Sequence, residues 1–301
     1  MTVFWEPCAG GVRVLRLLGD TPCPAVPGVI GGLPVVEIGP YCFAEKPVRP
    51  GAQCTGTDTH EITGNFVEEV TLPDTVRVLH SAAFYNCRKL RRVTLGTGVE
   101  SLGSDLFTNC RQLRVFTLRA AADAPTGLKK LLGAVSADIT AELDGARLFY
   151  PEYSEFLDEN TPAHIFNHSI EGEGYRMRQC FTPGGAVDYA AFDASFTQAC
   201  VGESADTLCR LALGRLVQPF GLSDNARADY ELYLTAHPAD AFKLAIDTRD
   251  EAALRLRLVD AEQPEEHGVH RREQTRPEHM IPEAADRIFA PEQHEPDKKR
   301  R

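Results

Sequence analysis

Nine histidines and nine cysteines are the residues of this 301-residue chain best suited to catalysis or metal binding. Their spacing limits what they can do. His164 and His168 stand four apart, a separation that puts two imidazoles on one helical face, but Ile165 occupies the place where a helical zinc-protease site needs glutamate. Cys54, Asp58, His60 and Glu61 crowd one polar stretch. Their mixed ligand types, with no second cluster, favour a solvated loop over a metal site. The cysteines show no C-x-x-C spacing and their count is odd, so neither a zinc cluster nor a closed disulfide set is expected. Glu171-Gly-Glu-Gly-Tyr175 has the glycines of a phosphate loop without the Lys-Ser/Thr that should follow, and reads as a turn. No G-x-S-x-G, Walker loop, H-E-x-x-H or dinucleotide fingerprint is found. No catalytic residue, cofactor or metal is therefore predicted. The alternative that remains is an enzyme of unassigned class, with a site between two domains built from His164, His168, Tyr175, Arg176 and Arg178.

The elements that would position such groups are clearest between 72 and 118. Laid against itself at an offset of 23 residues, this stretch superposes Phe84 on Phe107, Cys87 on Cys110 and Leu90 on Leu113. Val93 falls on Phe116, Val76 on Val99 and Leu79 on Leu102 by the same shift. A fixed period of this size marks a stacked repeat, in which one coil cannot bury its apolar side without neighbours. Apolar and polar residues alternate over 90–95, as in a strand with one buried face. The segment 82–87 turns the chain with Phe84 and Cys87 inward, and Asn86 and Asn109 are placed to cap its backbone. Val70, Val93 and Phe116 point inward, so Glu69, Arg92 and Val115 form one outward row and Thr71, Thr94 and Thr117 another. These six are the candidate partner-contacting residues.

The pattern resembles the bacterial leucine-rich repeats of the BspA-like type, whose units run roughly LP-x-x-V-x-x-I-G-x-x-A-F-x-x-C-x-x-L-x-x-V. Leu72-Pro73, Val76, Leu79, Ala83, Phe84, Cys87, Leu90 and Val93 carry one copy. Val99, Leu102, Gly103, Phe107, Cys110, Leu113 and Phe116 carry the next. His80 stands where the family usually has glycine. The resemblance covers less than half of the chain. It implies a solenoid that binds through its surface, and by family analogy a secreted or cell-surface adhesin is a second alternative.

Elsewhere the period changes. An earlier copy places Val35, Ile38 and Phe43 at the positions of Val76, Leu79 and Phe84, with a polar insertion over 46–65 expected to leave the stack as a surface loop. Strands over 3–6 and 12–18, around Gly10-Gly11, make a hairpin to cover the open end. A helix over 126–135 with Thr126 as N-cap, then a hairpin over 139–150 turning at Asp144-Gly145, close the other end. Residues 151–181 are irregular and aromatic-rich. Helices follow at 188–200, 205–217, 223–236, 239–247 and 251–261, with Ser223 as N-cap, Pro238 before the fourth, and Tyr230 and Tyr233 in the core. The tail, 263–301, is mixed in charge and proline-rich and is expected to be largely disordered, with an apolar island at Met280-Ile281 and Ile288-Phe289.

The fold class is thus α+β: a short leucine-rich-repeat-type β-solenoid with capping hairpins (1–150), a mainly α-helical domain (151–262) and the tail. A net charge of −11 argues against a nucleic-acid partner. No run of about 18 apolar residues predicts a membrane span. The opening MTVFWEPCAGG lacks a basic stretch followed by an apolar core, so a cytoplasmic location is expected. The function expected is a non-catalytic protein–protein interaction module, an adaptor or scaffold presenting one repeat surface and one helical surface to an unknown protein partner.

Overall fold

The computed structural model describes residues 1–46, 52–160 and 165–262. By internal contacts the chain divides into Met1–Arg257 and Leu258–Arg301, and the fold below is that of the first unit. The disorder expected over 263–301 lies outside the described residues.

The chain opens with β1 (Thr2–Cys8), β2 (Gly11–Leu18), β3 (Val29–Ile30), β4 (Leu33–Ile38) and β5 (Gln53–Cys54). The solenoid continues through β6 (Glu69–Thr71), β7 (Val78–Leu79), β8 (Arg92–Leu95), β9 (Ser101–Leu102) and β10 (Val115–Ala121). From β6 to β10, successive strands fall alternately into two sheets. One has the order β5-β1-β2-β4-β7-β9, with β3 paired to β4. The other begins β6-β8-β10 and is parallel throughout those three strands. After α1 (Leu128–Gly133) it gains β11 (Ile139–Asp144) in parallel and β12 (Ala146–Tyr150) in antiparallel pairing.

In the turns that lead from one sheet to the other lies the aromatic column that the 23-residue offset predicts. The ring centroids of Phe43 and Phe84 are 4.9 Å apart and those of Phe84 and Phe107 5.4 Å, with interplanar angles of 6° and 21°. This is the strand spacing expressed by side chains. The turns carrying these rings are bonded to one another as well. Ala82, Phe84 and Asn86 donate their N–H groups to the carbonyls of Ser104, Leu106 and Thr108 on the next coil. The Cys87 thiol donates to Phe43 O at 3.2 Å and the Cys110 thiol to Phe84 O at 3.0 Å. Burial pushes the thiols of Cys42 and Cys110 up to about 12, and that of Cys87 upward too.

Three local readings are corrected. Asn86 and Asn109 do not cap their own turns. They occupy the left-handed region at φ 61° and 62°, where asparagine is tolerated, and Asn109 Nδ2 donates to Asn86 Oδ1 at 2.7 Å across the coils. The insertion does not leave the stack as a free loop. Residues 53–62 lie along the N-terminal hairpin: β5 pairs with β1, Ile62 N bonds Leu17 O, and the Ile62 side chain is fully buried. Thr126 is not the N-cap of α1. Gly127 takes that place, while Thr126 Oγ1 accepts from Leu128 N at 3.2 Å.

Beyond β12, the stretch 151–181 is not irregular. It forms an antiparallel hairpin of β13 (Ser154–Asn160) and β14 (Ile165–Glu171), then the single turn α2 (Gly174–Met177). The helix expected over 188–200 is two, α3 (Tyr189–Ala194) and α4 (Phe196–Gly202), meeting at the buried Ser195. There follow α5 (Ala205–Val217), α6 (Asp224–Ala236), α7 (Pro238–Asp247) and α8 (Glu251–Glu262). Ser204 and Ser223 accept from Thr207 N and Ala226 N as N-caps, and Pro238 opens α7. The apolar stripe of α5 packs on β12, and its buried positions include Arg215 as well as Leu208, Leu211, Ala212 and Leu216.

Candidate interaction face

The outward rows of the second sheet are built by register. Parallel pairing sets Glu69 beside Arg92 and Arg92 beside Val115; Thr71, Thr94 and Thr117 align in the same way. The row between them, Val70, Val93 and Phe116, has at most 1% exposure and faces the core. All six predicted contact residues therefore share one face and lie on adjacent strands. The rows run on into β11 and β12. Thr140 and Phe149 extend the first; Glu142 and Arg147 extend the second.

The face is polar and partly self-bonded. Arg92 donates to Thr117 Oγ1 and forms an ion pair with Glu142, and the Thr117 hydroxyl donates to Glu142 Oε2 at 2.8 Å. Arg91 bonds Glu68 at 2.8 Å and lies 3.9 Å from Glu69. Among the described residues, the hydroxyls of Thr71 and Thr94 make no side-chain hydrogen bond, and Thr71 is exposed. The β6–β8 end of the face thus retains donors and acceptors for a partner. Over β12 the face is roofed: α5 packs on that strand, and Arg147 forms an ion pair with Asp250 at the start of α8.

Of the described residues of the alternative enzyme site, Tyr175 and Arg178 both meet the Tyr153 ring, while His168 and Arg176 each pair with a different glutamate. His164 lies outside the described residues. His168 is exposed on β14, 3.2 Å from Glu155. Tyr175 packs edge-on to Tyr153, and Arg176 pairs with Glu173. Arg178 is 3% exposed and clamps main chain, donating to the carbonyls of Pro151, Gly174, Ser136 and Ala137. Among the described residues, no group of three or more His, Cys, Asp or Glu is arranged to hold a metal ion.

Two polar clusters escaped the reading of the sequence. On the first sheet, Arg13 bridges Glu6 at 2.7 Å and Glu37 at 2.6 Å, and His80 Nε2 lies 2.7 Å from the same Glu37 oxygen. Partial burial raises the Glu37 carboxyl, but its hydrogen bonds with His80 and Arg13 and the charge on Arg13 prevail and hold it below the usual carboxylate range. The one signal was His80, the residue that departs from the repeat pattern. Among the helices, Arg215 is fully buried. It bonds Asp193 twice, at 2.7 and 2.9 Å, while the Tyr230 hydroxyl donates to Asp193 at 2.9 Å. Helical spacing alone sets Arg215 on one stripe with Leu208, Leu211 and Ala212 and names no partner for it.

Residues 62–124 match the family described as the BspA type leucine rich repeat region, six copies. No curated protein matches the chain. Two solved structures are similar over part of it. One is a leucine rich cell surface protein from Faecalibacterium prausnitzii A2-165, 22% identical, covering 38% of this chain and 35% of that one, with a TM-score of 0.27. The other is the leucine rich repeat protein of T. pallidum, 20% identical, covering 42% of this chain and 73% of that one, with a TM-score of 0.24. This chain thus spans about a third of the length of the first. With its repeat period, its stacked coils and this match in agreement, the segment 62–124 is a BspA-type leucine-rich repeat region.

Proposed function

We propose that this chain is a non-catalytic protein-interaction module, an adaptor or scaffold, that takes a protein partner on the open face of β6, β8 and β10. One observation carries the reading. Two in-register rows, Glu69–Arg92–Val115 and Thr71–Thr94–Thr117, stand outward from strands whose intervening row is buried. A leucine-rich repeat region offers its surface in this way because its inward residues are committed to the core. The helices supply a second surface, on which Leu232, Phe242 and Ile246 are 71%, 41% and 53% exposed. A cytoplasmic location accords with the exposed thiols of Cys23, Cys54 and Cys200. The net charge of −11 favours a protein over a nucleic acid.

A photo-crosslinking amino acid placed at Thr94, and in a second variant at Ser101 on the opposite sheet, tests the face in the native host. A partner captured from Thr94 and not from Ser101 supports it. Equal capture from both positions, or capture from Ser101 alone, removes this face as the contact surface. Protease accessibility on intact cells tests the location.

A further inference from the structure

Where the roof meets the face, β10–β12 and the helices enclose a cleft of about 560 Å³. We propose that this cleft binds a small organic acid, a single anionic group carried on an apolar body about the size of two fused rings. The volume falls within the range of roughly 300–1,000 Å³ usual for small-molecule sites. Val115, Phe149, Leu213 and Leu244 supply the apolar lining, with Phe149 at 4% and Leu213 at 4% exposure.

The charges at the rim select the ligand. Three carboxylates line the cleft, and each already has a cation: Glu142 has Arg92, Asp250 has Arg147 and Glu251 has Arg255. Of the four arginines there, Arg147 is thus matched, and Arg210 is paired with Asp206 while its guanidinium lies 5.7 Å from the Phe149 ring centroid. Arg114 and Arg249 are not matched. Among the described residues, Arg114 donates only to the main-chain carbonyls of Arg111 and Leu113. Among the described residues, the Arg249 side chain makes no hydrogen bond or ion pair. Its backbone is held in the left-handed region, φ 53°, between α7 and α8. Two guanidinium groups without counter-charges among the described residues therefore flank an apolar cleft in a strongly acidic chain. Planar guanidinium forks match carboxylate and phosphate oxygens in pairs.

The full chain is titrated calorimetrically with naphthalene-2-carboxylate, its neutral carboxamide, acetate and inorganic phosphate. The carboxylate is expected to bind at least tenfold more tightly than the carboxamide and than either small anion. Arg114→Gln and Arg249→Gln, both at exposed positions, should each weaken the carboxylate three- to tenfold, leaving the carboxamide and the melting temperature unchanged. Thr248→Trp, which fills the mouth, should abolish both aromatic ligands. Equal affinity for carboxylate and carboxamide overturns the proposal, because the arginines then play no part. Phosphate or acetate binding as tightly as the naphthoate overturns it too, because the apolar lining is then irrelevant. Full binding to the Thr248→Trp chain places the ligand elsewhere and also overturns it.

Discussion

Asp193, Arg215 and Tyr230 show how much one buried side chain can decide. A guanidinium with no exposure is tolerated only because a carboxylate meets it with two hydrogen bonds. Removing the anion alone, Asp193→Ala, leaves that cation unpaired and should cost about 3–5 kcal/mol in urea unfolding. Arg215→Met with Asp193→Leu should be less damaging than Asp193→Ala. Glu37 makes a second prediction at this scale. Its carboxyl titrates lower in the folded protein than in the unfolded chain. Its stabilisation is therefore full above the unfolded value of about 4.3 and is lost as pH falls through the lower folded value. Glu37→Gln should flatten that acid limb of the stability curve, measured by denaturation from pH 6 to pH 3. The thiols divide sharply. Cys23 and Cys54 should alkylate in the native protein at pH 8, Cys200 more slowly because partial burial and Asp229 push its thiol up, whereas Cys42, Cys87 and Cys110 should react only after unfolding.

At the level of elements, the repeat was legible because its period is written in large residues. Phe84, Cys87 and Leu90 recur as Phe107, Cys110 and Leu113, and the pairing of Thr71, Thr94 and Thr117 follows from that step alone. The hairpin of β13 and β14 was not legible. Ser154–Asn160 reads SEFLDEN, with Phe156 and Leu157 adjacent instead of alternating, and both are exposed at 44% and 67%. Without a buried face, a strand has no period to display. The break between α3 and α4 was hidden for another reason: Ser195 Oγ donates to Ala191 O, a local bond that composition does not reveal. Stability should follow the column of rings. Phe84→Ala removes a fully buried side chain stacked on both sides and should cost about 3–5 kcal/mol. Asn86→Gly should be nearly neutral in backbone terms, whereas Asn86→Val, β-branched at φ 61°, should cost about 1–2 kcal/mol. Chemical denaturation of each variant gives the comparison.

Within the unit Met1–Arg257, one continuous apolar cluster runs from Val3 to Ala253. The last strand explains the continuity. Leu148, Phe149 and Tyr150 on β12 are all buried, α5 packs on that strand, and the Tyr150 ring meets Phe192 at 5.4 Å. A chain ending after Tyr150 should therefore expose this strand and self-associate, seen as loss of the monomer peak in size exclusion. A monomeric, cooperatively folding fragment would contradict that expectation. The two kinds of site differ in how far apart their residues lie in sequence. The rows of the open face come from one short step, so the pattern foretold them. The cleft joins Arg147 to Asp250, 103 residues away, across a helical packing that no local pattern encodes.

The bond from Asn109 to Asn86 and the column of Phe43, Phe84 and Phe107 beside it step from coil to coil by about one strand spacing. Such a stack is a ruler with interchangeable divisions. Splicing a second copy of residues 73–95 directly after Leu95 should insert one more division, widening the gap between the first and last strands of the open face by about 4.8 Å. A partner that grips both margins would then be mismatched, whereas one that grips a single division would not register the change.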